Sequence, residues 1–134
     1  MRYSDTLYQH FRDSQRVGQL PADQPGYGSA RVGEVRHGGV IELSLQVDPS
    51  HQQVADARFK AYGCGATIAA AAWVCTWLPG RCIEQVESID AEIISRGLTL
   101  PPNKVQCAVL AASAVRAALA NYRDHCDPSK QPTY

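Results

Sequence analysis

The sequence predicts an α+β domain: a three-stranded antiparallel sheet with helices packed on one face, and a helical C-terminal half. Three observations carry that prediction. Residues 29–62 hold runs that alternate apolar and polar side chains, joined by short polar or glycine-containing links. After Gly65 the apolar period changes from two to that of a helix. No pattern repeats and no linker divides the 134 residues, so 1–134 reads as a single domain.

In chain order, "YSDTLYQHFRDS" places Leu7 and Phe11 four apart and predicts an N-terminal helix within 1–15, with Ser4 or Asp5 as its cap. "QLPADQPGYGS" holds two prolines and two glycines and predicts a loop over 16–30. "SARVGEVRHGG" reads as a first strand, weakened by Gly33. In "VIELSLQVD" the residues Ile41, Leu43, Leu45 and Val47 share one face, and Glu42, Ser44 and Gln46 share the other. "DPSHQQ" is a polar turn, and "VADARFKAY" sets Ala57, Phe59 and Ala61 on one face. Short links between three such runs predict an antiparallel meander.

"ATIAAAAWVCTWL" is rich in alanine, the best helix former, and Pro79-Gly80 ends it. "CIEQVES" predicts a short helical turn, with Cys82 where a capping Ser or Thr is usual. "IDAEIISRG" predicts a helix stopped by Gly97, and "LTLPPN" a rigid connector. "KVQCAVLAASAVRAALANYR" is the longest helix, with Val105, Ala108, Val109, Ala112, Val115, Leu119 and Tyr122 as its apolar stripe. Residues 124–134 read as a flexible polar tail.

Lys+Arg and Asp+Glu both number 13, so the formal net charge is zero. A nucleic-acid or anionic-membrane binder needs an excess of cations to meet phosphates, and this chain has none. The sequence shows no evident membrane-spanning run and no secretory h-region, which predicts a cytoplasmic protein. In that reducing compartment the five cysteines read as free thiols, metal ligands or reactive thiols rather than disulfides.

Two of those thiols stand at element boundaries. Cys64 lies between Gly63 and Gly65, where the last strand gives way to a helix. Glycines free the backbone there, and a helix N-terminus favours thiolate. The competing account is a structural turn with a small buried cysteine. Cys107 falls in the first turn of the last helix, just after "LPPNK". His37, in "VRHGGV", sits at the turn between the first two strands. One His and two Cys at element ends make a candidate metal site. Cys75, mid-helix, and Trp73 and Trp77, four apart, read as core or rim packing; Cys126 falls in the tail; His10, His51 and His125 lie in polar surroundings.

These places carry a resemblance. "YSDTLYQHF", "VADARFKAYGCGATIA" and "LPPNKVQC…NYR" resemble the IscU-type iron–sulfur cluster assembly scaffolds, also called NifU N-terminal-like proteins, over nearly the whole chain. The family pattern is Cys-Gly-Asp, then Tyr-Gly-Cys-Gly, then Leu-Pro-Pro-Val-Lys-x-His-Cys. The resemblance implies a non-enzymatic scaffold that accepts persulfide sulfur from a cysteine desulfurase and collects iron. It implies assembly of a [2Fe–2S] cluster and its transfer to apo iron–sulfur proteins, as a monomer or homodimer. It aligns Cys107 with the persulfide acceptor, Cys64 with the second cysteine ligand and Tyr3 with an accessory tyrosine. It aligns Leu100, Pro101, Pro102, Asn103 and Lys104 with the segment gripped by an Hsp70-type chaperone.

Three departures fall in the site: His37 replaces a Cys, Gly39 an Asp, and Gln106 a His. Two readings follow. In one, His37, Cys64 and Cys107 hold iron, a cluster or Zn²⁺, with imidazole raising the potential of a cluster. In the other, scaffolding is lost, and the chain is a zinc-binding sulfur acceptor or an adaptor of the desulfurase; Gln106, a poor metal ligand, favours this. A small zinc hydrolase would need a base near His37, where Glu34 and Glu42 are the acids available.

Overall fold

The computed structural model describes residues 18–21, 26–34 and 39–126, with side chains as far as Asp124. The elements are β1 (Tyr27–Glu34), β2 (Gly39–Asp48), β3 (Gln53–Gly63), α1 (Gly65–Trp77), α2 (Ile83–Glu87), α3 (Ala91–Leu98) and α4 (Val105–Cys126). A single 3-10 turn, Pro102–Lys104, leads into α4. The three strands pair antiparallel in the order β1-β2-β3, which is the meander the alternation predicts. Two boundaries differ from expectation. β1 begins at Tyr27, inside the expected loop over 16–30, and α4 runs to Cys126, taking the first residues of the expected tail. The expected helix over 1–15 lies outside the described residues.

Register explains which face is buried. Ala30 pairs with Leu43 and Leu43 with Phe59, while Val32 pairs with Ile41 and Ile41 with Ala61. Alternation therefore aligns one apolar grid across three strands, and the helices cover it. Ile41, Leu43, Leu45 and Phe59 are all buried. The other face carries a charged row, Arg31, Glu42 and Lys60, in which Arg31 and Glu42 pair at 3.1 Å. Ser44 departs from this polar row because residues 18–20 cross over it. The Leu20 N–H donates to Ser44 Oγ at 3.1 Å, and Ser44 is buried.

α1 is buried nearly all round, against β3, α3 and α4. Alanine suits that place, since small side chains let three neighbours approach one helix. α4 lies across β1 and β2. Its buried stripe is Ala108, Ala111, Ala112, Val115, Ala118, Leu119 and Tyr122. Val105 and Val109, expected on that stripe, are instead 37% and 50% exposed. The reason is phase: at about 100° per residue the buried positions share one arc of the helix, with Val105 at its edge and Val109 beyond it. The helix also sits close to the sheet. Gly28 shows how close, because a Cβ there would lie 2.5 Å from Ala118 O and 2.7 Å from Tyr122 Cβ. The stretch Pro102–Asp124 is also long and apolar enough to match a membrane span, which corrects the expectation that no such run exists. Here its apolar face is spent on the sheet and on α1 and α3.

Gly97 does not stop α3. The helix passes through it and ends at Thr99, whose φ of 53° is left-handed. Gly97 is a contact residue, with space for a Cβ already taken by the Trp73 ring at 2.4 Å. Trp73 stacks on Trp77 with centroids 6.2 Å apart, and the Arg81 guanidinium lies 4.4 Å over Trp77. Cys75 is fully buried, and Cys82 caps α2 with its N–H donating to Gln85 Oε1 at 3.2 Å. His51 is exposed and pairs with Asp48 at 2.8 Å.

Candidate functional site

β3 ends at Gly63, whose φ of 144° is open to glycine and strained for any side chain. That turn delivers Cys64 as the N-cap of α1 in extended geometry, φ −73° and ψ 168°. Gly65 is the first helical residue and does not use positive φ, so one glycine of the pair, not both, supplies the backbone freedom. The 3-10 turn at Pro102–Lys104 starts α4 so that Cys107 comes in its first turn. The two helix starts converge. Cys64 Sγ and Cys107 Sγ are 3.8 Å apart, across 43 residues of sequence.

Between them sits a residue that sequence reading passed over. The Thr67 hydroxyl lies 3.4 Å from both Cys107 Sγ and Cys64 Sγ, within reach to donate its one proton to whichever sulfur is the anion. It is one helical turn beyond the Cys64 cap, and that three-residue spacing is the signal that would have revealed it. Thr67 is buried at 2% exposure. Gly39 makes room for it, since a Cβ at residue 39 would lie 3.0 Å from Thr67 Cγ2 and 3.1 Å from its hydroxyl. The Gly39 departure and the Thr67 side chain thus occupy one space.

The thiols open on a cavity of about 560 Å³ whose walls include Glu34, Gly39, Thr67, Lys104, Gln106 and Leu110. Glu42 points elsewhere, to Arg31 on the outer face. Glu34 and Gly39 flank the connection between β1 and β2 that carries His37, and His37 itself lies outside the described residues, as does Tyr3. Among the described residues no group of three His, Cys, Asp or Glu side chains converges, so the thiol pair is the nucleus of the site. Leu100 packs on the core, whereas Pro102 and Asn103 are exposed and Lys104 lines the cavity. Cys126 ends α4, nineteen residues on from Cys107.

The two thiols differ electrostatically. Partial burial pushes Cys64 up, but hydrogen bonds from Thr67, Cys107 and the Ala66 N–H outweigh it and bring Cys64 down to about 7. Cys107 is raised: its deeper burial and the neighbouring Cys64 charge outweigh the pull of the Thr67 hydroxyl and Lys104. Cys64 is therefore thiolate above about pH 7 and thiol below it. In metal-free protein, iodoacetamide alkylation of Cys64 is expected to reach half its limiting rate near that pH, with Cys107 responding only at higher pH. Thr67→Val should move the Cys64 midpoint upward, because it removes a hydrogen bond to the thiolate. Peptide-resolved mass spectrometry across pH reads both; equal midpoints for the two thiols would contradict the assignment.

The chain is 38% identical over 123 residues to the iron–sulfur cluster assembly scaffold protein IscU of Azotobacter vinelandii, covering 92% of this chain and 95% of that one. It is 35% identical over 123 residues to the IscU of Escherichia coli K12, again covering 92% and 95%. A solved nitrogen-fixing NifU-like protein (N-terminal) from Brucella abortus shares the fold, with a TM-score of 0.71 at 12% identity, covering 90% of this chain and 94% of that one. The family model described as the NifU-like N terminal domain matches residues 2–127. With its paired helix-start cysteines, its meander and this match across nearly its whole length, the chain belongs to the NifU-like N-terminal domain family.

Proposed function

We propose that this chain is an iron–sulfur cluster assembly scaffold, a carrier rather than an enzyme that turns over a substrate. Sulfur arrives as a persulfide on Cys107 from a cysteine desulfurase. Iron or a [2Fe–2S] cluster is the cargo, held by Cys64, Cys107 and His37, and is handed to apo iron–sulfur proteins. One observation carries the reading. In a tetrahedral thiolate site with metal–sulfur bonds of about 2.3 Å, two ligand sulfurs lie about 3.8 Å apart. Cys64 and Cys107 already stand 3.8 Å apart. The donor set is thus prearranged along one edge of a tetrahedron, and Glu34 and Gly39, the ends of the β1–β2 connection, line the same cavity. Pro102 and Asn103, exposed beside that cavity, are where an Hsp70-type chaperone would grip the Leu100–Lys104 segment.

The alternative, a desulfurase adaptor with no cargo or a zinc-binding sulfur acceptor, leaves the cluster role unused. Anaerobic reconstitution with ferrous iron, cysteine and a cysteine desulfurase separates them. Wild-type protein should gain visible sulfur-to-iron absorption with iron and sulfide in equal amounts. His37→Ala should lose most of it, and His37→Cys should restore it. Colourless protein without iron, from a well-folded wild type, would sink the scaffold reading.

A further inference from the structure

The bridging sulfurs of a cluster are sulfide, two electrons more reduced than the terminal sulfur of a persulfide. Something must supply those electrons. We propose that Cys64 is the resolving thiol: it attacks a persulfide on Cys107 and expels the terminal sulfur as hydrosulfide inside the cavity. This rests on the acceptor role of Cys107 given above.

Three features place the step. Cys64 Sγ is 3.8 Å from Cys107 Sγ, the sulfur it must attack, so no rearrangement of the chain brings the pair together. Cys64 caps α1, which sets its sulfur at the helix start on the cavity wall, facing Cys107. The Thr67 hydroxyl touches both sulfurs at 3.4 Å and, being buried, fixes their mutual position. Of the other described cysteines, Cys75 is enclosed in the core and Cys82 stands at the start of α2.

The step balances without an outside reductant. The Cys64 thiolate forms a bond to Cys107 Sγ, and the bond from Cys107 Sγ to the terminal sulfur breaks. The electron pair and the proton leave with that sulfur as HS⁻. The two cysteines are oxidised to a disulfide, and the sulfane sulfur is reduced to sulfide. A dithiol reductant then reopens the disulfide before either thiolate can bind iron. Sulfide release and metal binding by this pair are therefore successive, not simultaneous.

The test loads wild type, Cys64→Ser and Thr67→Val with sulfur in two ways: from a cysteine desulfurase with cysteine, and from inorganic polysulfide. Excess donor is removed and no thiol is added. Free sulfide is measured, and non-reduced peptides are mapped by mass. Wild type should release sulfide and yield a Cys64–Cys107 cross-linked peptide pair. Cys64→Ser should keep an extra sulfur atom on Cys107 and release less sulfide by about tenfold or more. Thr67→Val should release sulfide more slowly. A wild-type persulfide that persists without sulfide release, or equal release from Cys64→Ser, overturns the proposal. Polysulfide loading makes the outcome independent of the desulfurase. If the desulfurase fails to load Cys64→Ser while polysulfide succeeds, it is the acceptor reading that falls.

Discussion

Changing Cys64 or Cys107 to Ser is expected to weaken Zn²⁺ binding, taken as a probe of the site, by more than about 100-fold. Losing even an outer partner of a ligand costs about 10- to 100-fold, and here the ligand itself goes. A serine hydroxyl stays protonated at neutral pH and gives the metal no anion, so the tetrahedral edge between the two sulfurs is lost with either change. Cys82→Ser is the control, since that thiol belongs to the start of α2 and not to the cavity. Competition with a chromophoric chelator, under anaerobic conditions at neutral pH, measures all four proteins. Affinity unchanged in either site variant would remove that cysteine from the metal site. Circular dichroism on the same samples separates ligand loss from misfolding.

Gly28→Ala is expected to lower stability by about 3 kcal/mol, at the upper end of the usual cost of overpacking. For a domain of this size that is a fall in Tm of about 10 °C. The added methyl would meet Ala118 O at 2.5 Å, a backbone atom of α4 that cannot swing aside. Local propensity gives the opposite sign. Glycine inside a strand is worse than alanine by about 0.5–1 kcal/mol, so the substitution should stabilise if nothing sat above it. The experiment, thermal unfolding followed by circular dichroism, therefore decides between a local and a tertiary effect. A Tm that stays level or rises would mean that α4 gives way to the methyl at no cost. The functional stake is real, because α4 carries Cys107 and its seat on the sheet sets the distance to Cys64.

Much of this protein is local and was legible. Period-two alternation in 40–48 and 54–62 records which side chains face the core, because a strand turns its residues over one by one. Alanine density and the Pro79-Gly80 stop record α1, because propensity is a property of the residue itself. The positions of Cys64 and Cys107 at the starts of helices follow from those same boundaries.

What the chain could not announce depends on how closely elements approach. Gly97 looks like a terminator in sequence, yet it is a seat for the Trp73 ring. Val105 and Val109 look like core, yet they are exposed, because packing turns a neighbouring arc of α4 to the sheet. Ser44 looks like a solvent-side residue, yet Leu20 crosses over it. Thr67 looks like one more small residue in an alanine helix, yet its hydroxyl joins two thiols that are 43 positions apart. The sequence by itself determined the elements, their order and the thiols at their ends, since periodicity and turn chemistry act within a few residues. Only the tertiary structure decided that those thiols meet at 3.8 Å around a shared hydroxyl, since that distance is set by the packing of α1 and α4 against one sheet.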